Sequence, residues 1–200
     1  MNILFVCTGN TCRSPMAEAL FRDKYPGANV RSAGVFAANG TKASANALKA
    51  LAEIDIDFDH RSQQVTEELL SWADLVLTMT TQHKQLLIAE YPNFREKFYT
   101  LKEYVSTPND EEIQRLQASM ENKRREFIAE NPHLSSEELQ KKLAELVQKE
   151  SEKLKQFEFG SQYDISDPFG GDLELYRRTR VELEKLIDRL IEKIEATKGE

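Results

Sequence analysis

A chain of 200 residues is long enough for one full-sized domain with a hydrophobic core and a modest appendage, and too short for two large independent domains. Hydrophobic residues make up 40% and charged residues 30%, a balance that suits a globular protein with at least one strongly solvated segment. The formal net charge of -7 repels nucleic acid and anionic membrane, so neither is an expected partner and binding of any anion must rest on local geometry.

The first element, Asn2 to Val6, is apolar from Ile3 onward and closes with Cys7-Thr8-Gly9, the pattern of a strand buried on both faces of a parallel sheet. No basic segment precedes it and no small-residue cleavage site follows, so it is not read as a signal peptide. No other apolar run approaches the roughly 20 residues that span a bilayer. A cytoplasmic location is expected, where Cys7 and Cys12, the only cysteines, are reactive thiols in place of a structural crosslink.

A helix follows the first strand, with Pro15 in its opening turn and Pro26-Gly27 at its end. Val30 to Ala33 read as a second strand and Ala43 to Ile54 as a second helix. Leu75 to Met79 form a further buried strand, His83 to Ile88 a helix, Phe98 to Leu101 a short strand, and Leu173 to Ala196 a long amphipathic helix. Strands alternating with helices predict an α/β fold of three layers, a central parallel sheet of about four strands flanked by helices.

Between Pro108 and Phe159 the composition shifts toward Glu, Lys, Gln and Arg. Ile113, Leu116, Met120 and Phe127 form one apolar stripe, and Leu139, Leu143, Leu146, Val147 and Leu154 form another. Asn131-Pro132 separates them, and Ser135 with Glu138 supplies a capping box. The expected organisation is a domain of residues 1–108 and 159–200 interrupted by an antiparallel helical hairpin at 109–158. The hairpin is a candidate docking element for a partner, and a solvated, functionally silent insertion is the competing reading.

The segment from Cys7 to Ser14 lies between a buried strand and a helix. There the backbone N–H groups of Thr8, Gly9, Asn10, Thr11 and Cys12 can curl inward into an anion-binding nest at a helix N-terminus. Arg13 adds a fork for two phosphate oxygens. The same field stabilises a thiolate at Cys7, and Ser14 is placed to hydrogen-bond the sulfur. A thiolate that displaces a phosphoryl group needs an acid for the leaving atom and a base for the later attack by water. None of the three histidines sits in a promising place for that task. The turn Asp164-Ile165-Ser166-Asp167-Pro168-Phe169-Gly170-Gly171 supplies two candidates, Asp164 and Asp167, and residue chemistry alone does not choose between them.

CTGNTCRSPMAEALF, the SAG at Ser32 to Gly34, and DPFGG together resemble the low-molecular-weight protein tyrosine phosphatase family over nearly the whole chain except the hairpin. The resemblance implies that Asp167 is the general acid and that Asn10, Ser14, Ser32 and His60 tie the phosphate loop together. Thr11 stands where typical members carry an aliphatic residue. Aromatic residues of the family are replaced by Gly170 and by small residues near Ala37, so an aromatic-poor rim is expected. CTGNTCRS with DPFGG looks like the protein-arginine phosphatase branch, which makes Thr11 and Phe169 the residues of substrate selectivity and phosphorylated proteins the partners. Neither cofactor nor metal is implied, because the nest and Arg13 supply the charge compensation. The alternatives are a tyrosine phosphatase of the same fold, an arsenate reductase, which needs further thiols, and a non-enzymatic phosphoprotein-binding module. The spacing of Cys7 and Cys12 also suggests a disulfide that shields the nucleophile from overoxidation.

Overall fold

Every inward position of β1 (Asn2–Cys7) from Ile3 onward is buried, which sets the strand at the centre of the molecule. The computed structural model describes residues 1–105, 110–131, 133–134, 136–148, 150–152 and 163–198. Four parallel strands, β1, β2 (Asn29–Gly34), β3 (Leu75–Thr78) and β4 (Phe98–Thr100), lie in the order β2-β1-β3-β4. The parallel sheet of about four strands therefore stands as expected, with Phe98 to Thr100 as the strand and Leu101 already opening a helix.

The strand period of two divides the core. Ile3, Phe5 and Cys7 join a cluster on one face, and Leu4 and Val6 join another on the opposite face. On the first face α1 (Arg13–Lys24), α2 (Ala45–Ala52) and α5 (Leu101–Val105) each pack against the long terminal helix α8 (Leu173–Lys198). The second face carries Leu69 and Leu70 of α3 (Glu67–Trp72) and Leu87 of α4 (Thr81–Glu90). Burying each such side chain contributes about 1.5–3 kcal/mol, so β1 anchors the loop that follows it far more firmly than any single polar contact does. Two short helices, α3 and α5, lie outside the sequence expectation. Thr66 caps α3, accepting a hydrogen bond from the N–H of Leu69 at 3.3 Å, and Thr66-Glu67-Glu68 before an apolar pair is the signal that marks it.

By contact the chain divides into a unit of Met1–Ser106 with Tyr163–Glu200 and a second of Thr107–Gln162. In the second unit α6 (Asp110–Glu130) lies against α7 (Ser136–Leu146), and Lys123 pairs with Glu150. Met120, Phe127, Leu139 and Leu143 are half-buried and Val147 is buried, whereas Leu146 is exposed and leaves the expected stripe. Pro132, Ser135 and Leu154 lie outside the described residues. Among the described residues no helix is long and apolar enough to cross a membrane.

Candidate active site

Cys7 ends β1, and the chain turns at once into a tight loop. Asn10 adopts φ 53°, a left-handed conformation that asparagine tolerates better than most residues, and its N–H donates to Cys7 Sγ at 3.3 Å. Ser14, in the first turn of α1, brings its hydroxyl to 3.0 Å from the same sulfur and 3.3 Å from the carbonyl of Ala33. Charge-assisted bonds are the stronger ones, so a thiolate draws the Ser14 proton to itself. Gly34 lets β2 run directly under this loop. A Cβ there would stand 2.5 Å from the Thr8 carbonyl oxygen and 2.9 Å from the Asn10 nitrogen, distances that no side chain can occupy without moving the backbone. Just beyond it the N–H groups of Val35 and Phe36 donate to the carbonyls of Cys7 and Thr8 at 3.0 and 2.9 Å.

Asn10 is fully buried and uses its whole amide. Its Nδ2 donates to Ser14 Oγ at 2.9 Å and Ser32 Oγ at 2.8 Å, while Oδ1 accepts from the N–H of Gln63 at 2.9 Å. His60 Nε2 faces the Asn10 carbonyl at 3.0 Å and Oδ1 at 3.2 Å. Both are acceptors, so Nε2 carries the proton. Burial pushes the His60 pKa down against the raising effect of the Asn10 bond, which keeps the ring neutral. The structure thus brings together all four residues expected to tie the loop. It adds a fifth that the sequence reading missed: Glu18 of α1, buried, accepts from Ser32 Oγ at 2.6 Å and from Arg22 at 2.5 Å. Burial raises its pKa, partly offset by Ser32 and Arg22. Glu18 follows Ser14 by one helical turn on the same face, and that spacing was the signal for it.

Arg13 is buried, donating from one guanidinium nitrogen to the Ile165 carbonyl at 3.2 Å and from the other to Asp167 Oδ2 at 2.8 Å. Asp167 is half exposed, and its other oxygen accepts from the N–H of Phe169 at 3.1 Å in an Asx-type turn that Gly170, at φ 77°, completes. Asp164 is placed differently. Its Oδ1 accepts from the N–H and the hydroxyl of Thr81 at 2.7 and 2.9 Å, which commits it to the start of α4. The turn is held in register by Ile165 N–H donating to the Met79 carbonyl at 2.8 Å and by Lys102 donating to the Asp164 carbonyl at 2.7 Å. Glu182 joins Lys102 at 2.6 Å to the Ser166 hydroxyl at 3.1 Å.

These residues enclose a pocket of about 220 Å³ over Cys7, walled by Thr8, Gly9 and Thr11 of the loop and by Asp167 and Phe169. Phe169 is 77% exposed at its mouth, and Phe36, bonded beside Thr8, is 68% exposed. Among the residues lining the pocket Phe169 is the single aromatic side chain, set beside Gly170. A larger groove of about 410 Å³ beside Phe58 is lined by no cysteine or arginine. Cys12 is buried and also lines the pocket over Cys7, its Sγ 3.3 Å from the hydroxyl of Tyr176 on α8, and both cysteines are free thiols. His83, set aside in the sequence reading, lies buried beneath the loop with Nε2 2.8 Å from the Thr8 hydroxyl.

A thiol held by donors at the end of a central parallel strand, with an arginine behind it and a carboxylate across from it, is built to exchange a phosphoryl group. Comparison with known proteins places that chemistry in a lineage. Residues 2–155 match the family model of low molecular weight phosphotyrosine protein phosphatases, and the chain belongs to that family. A protein-arginine-phosphatase from Geobacillus stearothermophilus is 40% identical over 194 residues, covering 96% of this chain and 95% of the relative. The solved structure of YwlE arginine phosphatase from the same organism superposes with a TM-score of 0.70 at 39% identity, over 98% of this chain and 94% of that one. A cysteine-to-serine variant of YwlE arginine phosphatase, with a phosphorylated active-site serine, superposes with a TM-score of 0.69 at 38% identity over 98% and 96% of the two chains.

Proposed function

We propose that the protein hydrolyses phosphoarginine in proteins through a phosphocysteine intermediate. The observation that carries the reading is Thr11, a hydroxyl in the wall of the pocket that also holds Cys7 and Asp167. A guanidine leaving group offers hydrogen-bond donors that a hydroxyl and a carboxylate can meet, whereas a phenol ring prefers an apolar wall. The arginine phosphatases that superpose along nearly the whole chain support it.

The free enzyme keeps Asp167 on Arg13, so an arriving dianion competes for the guanidinium and frees the carboxyl for the leaving group. Cys7 Sγ attacks phosphorus in line while the loop amides and Arg13 hold the equatorial oxygens. As the S–P bond forms the P–N bond breaks, and Asp167 protonates or hydrogen-bonds the departing guanidine nitrogen. Water then attacks phosphorus, Asp167 takes its proton, the S–P bond breaks and the thiolate returns, with Ser14 donating to the sulfur as charge builds on it.

The test is phosphate release from a phosphoarginine peptide and a matched phosphotyrosine peptide. Wild type is expected to prefer phosphoarginine, and Thr11→Ile to move the ratio of kcat/KM values toward phosphotyrosine by about tenfold or more. A wild-type preference for phosphotyrosine would leave the nucleophile and family in place and reject the substrate. We assign the 109–158 insertion to docking of phosphoprotein substrates in the cytoplasm, on the strength of its charged surface and the exposed Ile128. Replacing it with a short linker should leave turnover of a small phosphoarginine substrate unchanged and depress turnover of a phosphoprotein. Equal effects on both would reject docking.

A further inference from the structure

His83 is the one buried histidine whose ring reaches the pocket wall through a side chain, and the mechanism above gives it nothing to do. Its Nδ1 lies 2.8 Å from Thr80 Oγ1, and its Nε2 lies 2.8 Å from Thr8 Oγ1. The direction of both bonds follows from Thr80, which caps α4. Its Oγ1 accepts from the N–H of His83 at 3.2 Å, so an acceptor role is already filled and the hydroxyl proton needs a partner. Donation of that proton to Nδ1 satisfies the cap and the ring at once. Nε2 must then carry the ring proton and donate it to Thr8. The opposite tautomer would make the ring a second donor to Thr80 and leave the Thr80 hydroxyl proton without the ring as its acceptor, so the Nε2–H tautomer satisfies more groups.

The consequence reaches the pocket. A Thr8 oxygen that accepts from His83 keeps its own proton for donation elsewhere, and Thr8 lines the cavity over Cys7. We propose that His83 is a positioning residue which, by fixing the Thr8 hydroxyl as a donor, makes Thr8 a side-chain ligand of the bound phosphoryl group. Burial, with the positive charge of Arg13 nearby, holds the His83 pKa to about 4, so the ring stays neutral at ordinary pH and keeps one tautomer. Nothing in the relay transfers a proton to substrate. It sets which way a hydroxyl points, adding one side-chain donor to the backbone donors of the nest.

The inference rests on the site handling a phosphoryl group and is indifferent to whether the leaving group is guanidine or phenol, so its test uses inorganic phosphate. Nitrogen-15 NMR of the full chain is expected to show His83 protonated on Nε2 and untitrated above about pH 5. Thr8→Val should weaken phosphate, read both as competitive inhibition of wild-type background turnover and by calorimetry in a Cys7→Ser background, by about tenfold, with Thr8→Ser restoring it. His83→Leu should cost about as much, and adding it to Thr8→Val should cost nothing further, because both remove one interaction. Proton on Nδ1, or unchanged phosphate affinity in a folded Thr8→Val protein, overturns the proposal. A preference for phosphotyrosine peptides would reject the arginine reading and leave this one standing.

Discussion

Cys7→Ser is expected to end phosphate release, with a fall in kcat of more than about 10⁴-fold, while the fold and phosphate binding survive. The size of the effect follows from the company the residue keeps. A serine needs a base to remove its proton, and none of the neighbouring groups is free to act. Asp167, once substrate frees it from Arg13, serves the leaving group on the far side of phosphorus, His60 presents its Nε2 proton to Asn10, and Ser14 donates to the Ala33 carbonyl. The site surrounds a sulfur with the Asn10 N–H and the Ser14 hydroxyl, and sulfur is intrinsically the better nucleophile and the better leaving group. Where the serine does take up a phosphoryl group, water cannot displace so poor a leaving group, so intact-mass measurement should find one phosphoryl trapped per chain. Turnover within tenfold of wild type would place the nucleophile elsewhere.

Asp167→Asn is expected to lower kcat on phosphoarginine by about 10²–10⁴-fold, the range for loss of a positioned acid and base. The same substitution removes the anion that engages Arg13 in the free enzyme. Inorganic phosphate should therefore inhibit the variant more tightly than wild type, since it no longer competes with an internal carboxylate. The two shifts in opposite directions separate this role from simple damage to the loop, which would weaken both. Steady-state kinetics with phosphate as a product inhibitor reads them together, and an unchanged kcat would remove Asp167 from the chemistry.

The parts of this molecule that were legible in its sequence are those in which local chemistry and global packing agree. The strand Asn2–Cys7, the loop to Ser14 and the helix beyond carry their own instructions: an apolar run, a turn that needs Asn10 in a left-handed conformation, and a helix start. The choice between Asp164 and Asp167 was not local. It depends on Thr81, which takes Asp164, and on Arg13, which meets Asp167, and both lie more than eighty residues away in sequence. Glu18 shares a helix face with Ser14, but a glutamate in a helix is ordinarily solvated, and the spacing alone does not say that this one is buried on Ser32. His83 escaped for a similar reason, since its partner Thr8 is brought to it by the β1–β3 pairing. The short helices α3 and α5 fall below the length at which periodicity is informative.

The turn that carries Asp167 is fastened at Met79, Thr81, Lys102, Glu182 and Arg13, all within the unit that holds the nucleophile. None of those fastenings draws on residues between Thr107 and Gln162. Substitutions between Thr107 and Gln162 are therefore expected to leave the fastenings of Asp167 in place. On the docking role proposed above, substitutions that alter which proteins are met would fall on one piece of the chain and substitutions that alter how a phosphoryl group is moved on another.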